Sequence, residues 1–170
     1  AGTIVDNTCT DNFEGENGNG EAVGIWAGPN CLVQNNNCIQ NDSFNGGATD
    51  EGNGIGIYAG AGCQVRNNTC NSNNGEGSTS SEYSCGIYVD GAGATVVGNT
   101  IGFNFEFGTG SISAGLLISD AGDRCLVNGN HTQFNGTNGI HFLTGSTGGY
   151  SMNNVITESG GYQDDGSNTE

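Results

Sequence analysis

An asparagine returns along this chain at nearly constant spacing. Asn7, Asn36, Asn68, Asn99, Asn130 and Asn154 are separated by 29, 32, 31, 31 and 24 residues. A second series, Asn12, Asn41, Asn73, Asn104 and Asn135, follows five residues behind the first. A fixed period of about 20–50 residues is the signature of a solenoid, in which each repeat is one structural rung. Most of the unusual residues therefore carry a structural duty before any functional one. The asparagine sits where a tight corner is needed and tolerates left-handed backbone. Stacked amides at one-rung spacing can also hydrogen-bond along the axis.

Alignment on the asparagine exposes two strand segments per repeat. The first begins at a glycine: Gly24-Ile25-Trp26-Ala27, Gly56-Ile57-Tyr58-Ala59, Gly86-Ile87-Tyr88-Val89, Gly115-Leu116-Leu117-Ile118 and Gly139-Ile140-His141-Phe142. Alternation puts Ile25, Ile57, Ile87, Leu116 and Ile140 on one face, with Ala27, Ala59, Val89, Ile118 and Phe142 beside them. The second segment ends on Val33, Val65, Val96 and Val127, and a third inward position holds Cys9, Cys38, Cys70, Ile101, Thr132 and Ile156. Variable Gly/Ser/Asn/Glu-rich stretches such as 42–53, 73–84 and 105–114 read as insertions from one corner. The expected fold is all-β, a parallel β-helix of about five to six rungs, right-handed by the general rule for parallel crossovers. Residues 1–160 form the solenoid and 161–170 a polar tail or cap.

The run Gly-Ile…Cys-x-Val-x-Asn-Asn-x-Cys…Asn, carried by 56–73 and 24–41, resembles the right-handed β-helix repeats of the pectate-lyase-like superfamily. The resemblance covers nearly all of residues 2–160. It implies the fold more firmly than an activity, because that superfamily includes lyases, glycoside hydrolases, epimerases, phage spikes and surface proteins.

Charge narrows the options. The chain has 18 acidic residues, two basic ones and a net charge of −16. Nucleic-acid binding needs a basic face, and none is available. Anionic membranes and polyanionic glycans are disfavoured for the same reason unless cations intervene. No apolar stretch approaches the roughly 18 residues of a membrane-spanning helix.

Seven cysteines fall in columns: Cys9, Cys38 and Cys70 in one, Cys31, Cys63 and Cys125 in another, with Cys85 before a Gly-Ile strand. Buried free thiols are the expectation, with a Cys31–Cys63 disulfide as the alternative. A zinc site is disfavoured because no CxxC pair is present.

Trp26, Tyr58, Tyr88, Leu117 and His141 share one outward position on successive rungs. Their spacing, near 5 Å per rung, lets the strip stabilise the strands, stack on a glycan or meet another protein. In the resembling superfamily the polysaccharide groove runs along such a sheet face, and its lyases use calcium with an arginine or lysine base. Only Arg66 and Arg124 could be such a base. A glycoside hydrolase needs two carboxylates about 5–9.5 Å apart. Asp90 and Asp120 are the nearest pair, but they differ in register by one residue. No cofactor is required; calcium is the candidate ion, with Asp11, Glu14, Glu16 and Glu21 in one acidic segment supplying oxygen ligands.

No amphipathic helix precedes the strand-like Gly2-Thr3-Ile4-Val5. This leads to the expectation of self-association, or of another subunit, at an uncapped N-terminal end, with head-to-tail stacking into filaments. The functional expectation is a non-catalytic structural or adhesive module, extracellular or on a cell surface, contacting a glycan or a protein through the aromatic strip. The alternative is a polysaccharide-active enzyme, lyase or glycoside hydrolase, on a neutral or weakly charged glycan.

Overall fold

The computed structural model describes residues 1–14, 20–43, 52–75, 83–106, 112–119, 121–157 and 160–169, with Glu14 described by its backbone alone. Those residues form strands, turns and bends and no helix. Three parallel sheets run the length of the molecule, and each coil contributes one strand to each sheet. The long sheet holds Gly20–Ala27, Gly52–Gly60, Tyr83–Asp90, Ile112–Ile118, Asn138–Phe142 and Tyr162–Asp164. The middle sheet holds Thr3–Val5, Leu32–Gln34, Gln64–Arg66, Thr95–Val97, Leu126–Asn128, Thr147–Met152 and Ser167–Thr169. The third sheet holds Thr8–Thr10, Asn37–Ile39, Thr69–Asn71, Thr100–Gly102, His131–Gln133 and Val155–Thr157.

The chain is thus a parallel β-solenoid. Its three long sheets contain seven, six and six strands, a count somewhat different from the expected five to six rungs, and Phe13–Glu14 pairs with Asp42–Ser43 in a separate two-stranded sheet. The difference comes from the C-terminal segment. Tyr162–Asp164 pairs with Asn138–Phe142, and Ser167–Thr169 pairs with Thr147–Met152, so the coil continues through most of 161–170.

The interior is a set of in-register columns. Ile25, Ile57, Ile87, Leu116 and Ile140 stack, as do Val33, Val65, Val96 and Val127, and all are buried. Burying each such side chain contributes about 1.5–3 kcal/mol before chain entropy is subtracted. The thiols of Cys38 and Cys70 lie in this core, with Cys9 packed against it. All seven cysteines are free thiols.

Both asparagine series form axial ladders. From Asn36 onward each first-series Oδ1 accepts from the preceding rung's Nδ2 and backbone N–H, as in Asn68 to Asn99 at 3.0 and 2.9 Å. Each Nδ2 from Asn36 onward also reaches a backbone carbonyl on the preceding rung, as Asn99 does to Val65 at 3.0 Å. The second series repeats this, with Asn73 to Asn104 at 3.0 Å. The asparagine does not itself take the left-handed conformation expected for it. The residue before it does: Asp6, Asn35, Asn67, Gly98, Gly129 and Asn153 in one column, Asp11, Gln40, Ser72, Phe103 and Phe134 in the other, at φ between 48° and 66°.

The glycine opening each long strand is a steric partner of the second ladder. A Cβ on Gly24, Gly56, Gly86 or Gly115 would lie 2.7–3.0 Å from Nδ2 of Asn41, Asn73, Asn104 or Asn135. These glycines therefore face the ladder and not the solvent. Strand alternation breaks at them, so Ile55 and Cys85 belong to the outer face and not to the core columns.

Candidate aromatic contact face

The break at glycine gives the long sheet two outer columns. One is Val23, Ile55, Cys85 and Ala114; the other is Trp26, Tyr58, Tyr88, Leu117 and His141. The second column is the strip expected from sequence, and its register is as expected. Its exposure is not uniform. Trp26 is 57% exposed, Tyr58 and Tyr88 are half-buried, and Leu117 and His141 are buried. Leu117 belongs to a second apolar cluster with Ile55, Cys85 and Ala114, against which Tyr58, Tyr83, Tyr88 and Leu143 pack. Strand pairing alone could not reveal this layer, because the alternation must be reset at the glycine before Cys85 and Tyr83 turn outward.

The rings are stacked along the axis. Trp26 and Tyr58 have centroids 4.0 Å apart with planes 13° from parallel. Tyr58 and Tyr88 are 5.5 Å apart and tilted, and Tyr83 stacks on Tyr88 at 5.1 Å. Tyr58 donates its hydroxyl proton to one Asp90 carboxylate oxygen, and Ser119 donates to the other at 3.0 Å. Burial first, then the bond to Asp90 and the nearby Glu21 carboxylate, push the Tyr58 phenol well above its ordinary value. Burial also pushes Tyr88 up, with Tyr83 and Asp90 adding to it. Both phenols stay neutral, and that of Tyr58 acts as a donor.

At the far end His141 is held in a polar network. Its Nε2 is 2.8 Å from Oδ2 of Asp165, and its Nδ1 is 3.4 Å from Nδ2 of Asn138. The Asn138 amide donates to Gln163 at 2.8 Å, and Gln163 donates to both Asp165 oxygens at 3.1 Å. Hydrogen bonding from His141, then from Gln163, holds Asp165 below the usual carboxylate range. His141 is therefore a tethered side chain beneath the surface and not part of an open shelf. Asp165 was the partner sequence reasoning missed, because it lies 24 residues away on the next coil.

Of the proposed carboxylate pair, Asp90 is engaged by two hydroxyls, and Asp120 lies outside the described residues. Of the calcium candidates, Asp11 occupies a left-handed corner at φ 55°, and Glu21 stands exposed on the first long strand. Glu16 and the Glu14 side chain lie outside the described residues. Among the described residues no three His, Cys, Asp or Glu side chains gather to hold a metal. Arg66 donates from Nε to Gln34 at 2.8 Å on the middle sheet, and Arg124 sits at a corner with φ 55°. Neither arginine is on the strands that carry the aromatic column. Among the described residues no helix is long and apolar enough to cross a membrane.

No protein-family model, curated protein or solved structure matches the chain.

Proposed function

We propose that this chain is a non-catalytic structural or adhesive module, extracellular or on a cell surface, that makes contact through the face around Trp26. The observation that carries the reading is the exposed Trp26 ring, 57% accessible, stacked on Tyr58 at the open end of an otherwise sealed outer layer. An exposed aromatic on a rigid sheet loses little entropy when it meets a partner. The engagement of both Asp90 oxygens supports the non-catalytic side, since neither is left free to serve as acid or base toward a sugar. The reading includes kinship of the repeat with the β-helices of the pectate-lyase-like superfamily, supported by the shared Gly-Ile…Asn-Asn-x-Cys pattern. It also includes head-to-tail filaments, in which the axial bonding that joins rungs would join copies.

The test is direct. Purified protein is incubated with a panel of neutral polysaccharides and reducing ends are counted. The reading predicts no release. Release that Asp90→Asn abolishes overturns it and establishes the polysaccharide-active enzyme instead. Electron microscopy of the same material tests the filament component, which monodisperse short particles would sink.

A further inference from the structure

We infer that the Trp26 face docks a basic polypeptide segment, seating an arginine or lysine side chain against the Trp26–Tyr58 stack while the segment runs along the strand toward Glu21. This rests on the contact-module reading above and names the partner's chemistry. Rings stacked at 4.0 Å and 13° consume each other's faces, so Tyr58 offers solvent mainly its edge. A sugar lying across the strip needs a row of outward ring faces. A cation needs only one electron-rich ring face and a nearby anion.

The Tyr58 hydroxyl donates to the Asp90 carboxylate, which enriches the ring stacked behind Trp26. Glu21 stands exposed on the strand that carries Trp26, where its carboxylate accepts from Asn53 Nδ2 at 3.4 Å. An exposed carboxylate thus stands on the same first long strand as the exposed indole. Stacked aromatics beside carboxylates are favourable for guanidinium or ammonium groups, adding cation–π to charge attraction.

The chain supplies no Lys or Arg of its own to this face. It has two basic residues, Arg66 and Arg124, and both belong elsewhere. Among the described residues the one ion pair is His141–Asp165. With a net charge of −16, the long-range field draws basic partners and repels acidic ones. The partner that complements an exposed indole, an exposed carboxylate on the same strand and this net charge is a basic peptide.

Trp26 is the sole tryptophan, so its fluorescence reports this site alone. The wild-type protein is titrated with a tetra-arginine peptide and, separately, with a neutral hexasaccharide. Glu21→Gln and Trp26→Leu are titrated by calorimetry beside a control, Asp6→Asn. That control removes one charge at an exposed corner away from the face. The expected result is a saturable tetra-arginine signal, weakened about threefold or more by either face variant and little changed by the control. Equal weakening by Asp6→Asn means bulk charge alone and overturns the inference. Saturable binding of the hexasaccharide without tetra-arginine binding also overturns it, while leaving the contact-module reading intact. Binding of neither ligand overturns it as well; polysaccharide cleavage would remove the underlying reading too.

Discussion

At the scale of single residues, the structure separates two kinds of asparagine contact. Asn99 accepts from Asn68 twice and donates to Val65 and Asn130, all in the buried interior. Asn99→Ala strands several buried donors and acceptors at once and should cost about 3 kcal/mol or more. Asn7 is exposed, so Asn7→Ala loses fewer and wetter bonds and should cost about 1 kcal/mol. Denaturant unfolding of both variants checks the ranking, and equal costs would contradict the ladder. Cysteine behaviour follows from the same columns. Burial pushes the thiols of Cys63, Cys70, Cys85 and Cys125 up, and the thiolate is the reactive form. Native alkylation followed by mass mapping should label the half-exposed Cys9 and Cys31 before any of these four. Prior labelling of Cys85 would contradict its burial.

At the scale of one rung, the glycine and the second ladder form a single steric unit. A Cβ on Gly86 would sit 2.3 Å from Ile101 Cγ2 and 3.0 Å from Asn104 Nδ2. Gly86→Ala should destabilise the protein by about 1–3 kcal/mol, while Gly28→Ala, with open space around it, should change little. This unit also explains how far the sequence could be read. The columns from Ile25 to Ile140 and from Val33 to Val127 were legible because uninterrupted alternation governs each of them. The break at Gly86 was not, because a missing side chain leaves no mark on a period-two pattern. Cys85 and Tyr83 therefore emerge on the outer face without warning. The aromatic column was legible in its register, from Trp26 to His141. Its exposure was not, since burial of Leu117 depends on Leu143 and Tyr88 packing on it from neighbouring coils. The last two coils are tied by the His141–Asp165 contact. The folded carboxyl of Asp165 titrates below its unfolded value, so its contribution is present above that value, near pH 4. It is lost as pH falls through the lower folded pKa. Thermal melts between about pH 5 and about pH 3 should show Asp165→Asn to be less acid-sensitive than wild type. An unchanged acid slope would contradict the coupling.

At the scale of the whole molecule, the solenoid combines a narrow apolar interior with a highly anionic surface. Net charge of −16 with two arginines leaves surface repulsion largely uncompensated. Raising salt from about 0.02 M to about 0.5 M shortens the screening length and should raise the melting temperature. A flat or falling response would mean that the charges are paired in ways the fold does not provide. The central claim is that consecutive coils are bonded in register along one axis through the asparagines. Side-chain amide cross-peaks by nuclear magnetic resonance test it most directly. The account predicts contacts linking Asn36, Asn68, Asn99 and Asn130 in sequence, with their Nδ2 protons exchanging slowly with water. Rapid exchange of those protons, with no contacts across the 31- and 32-residue steps, would contradict it.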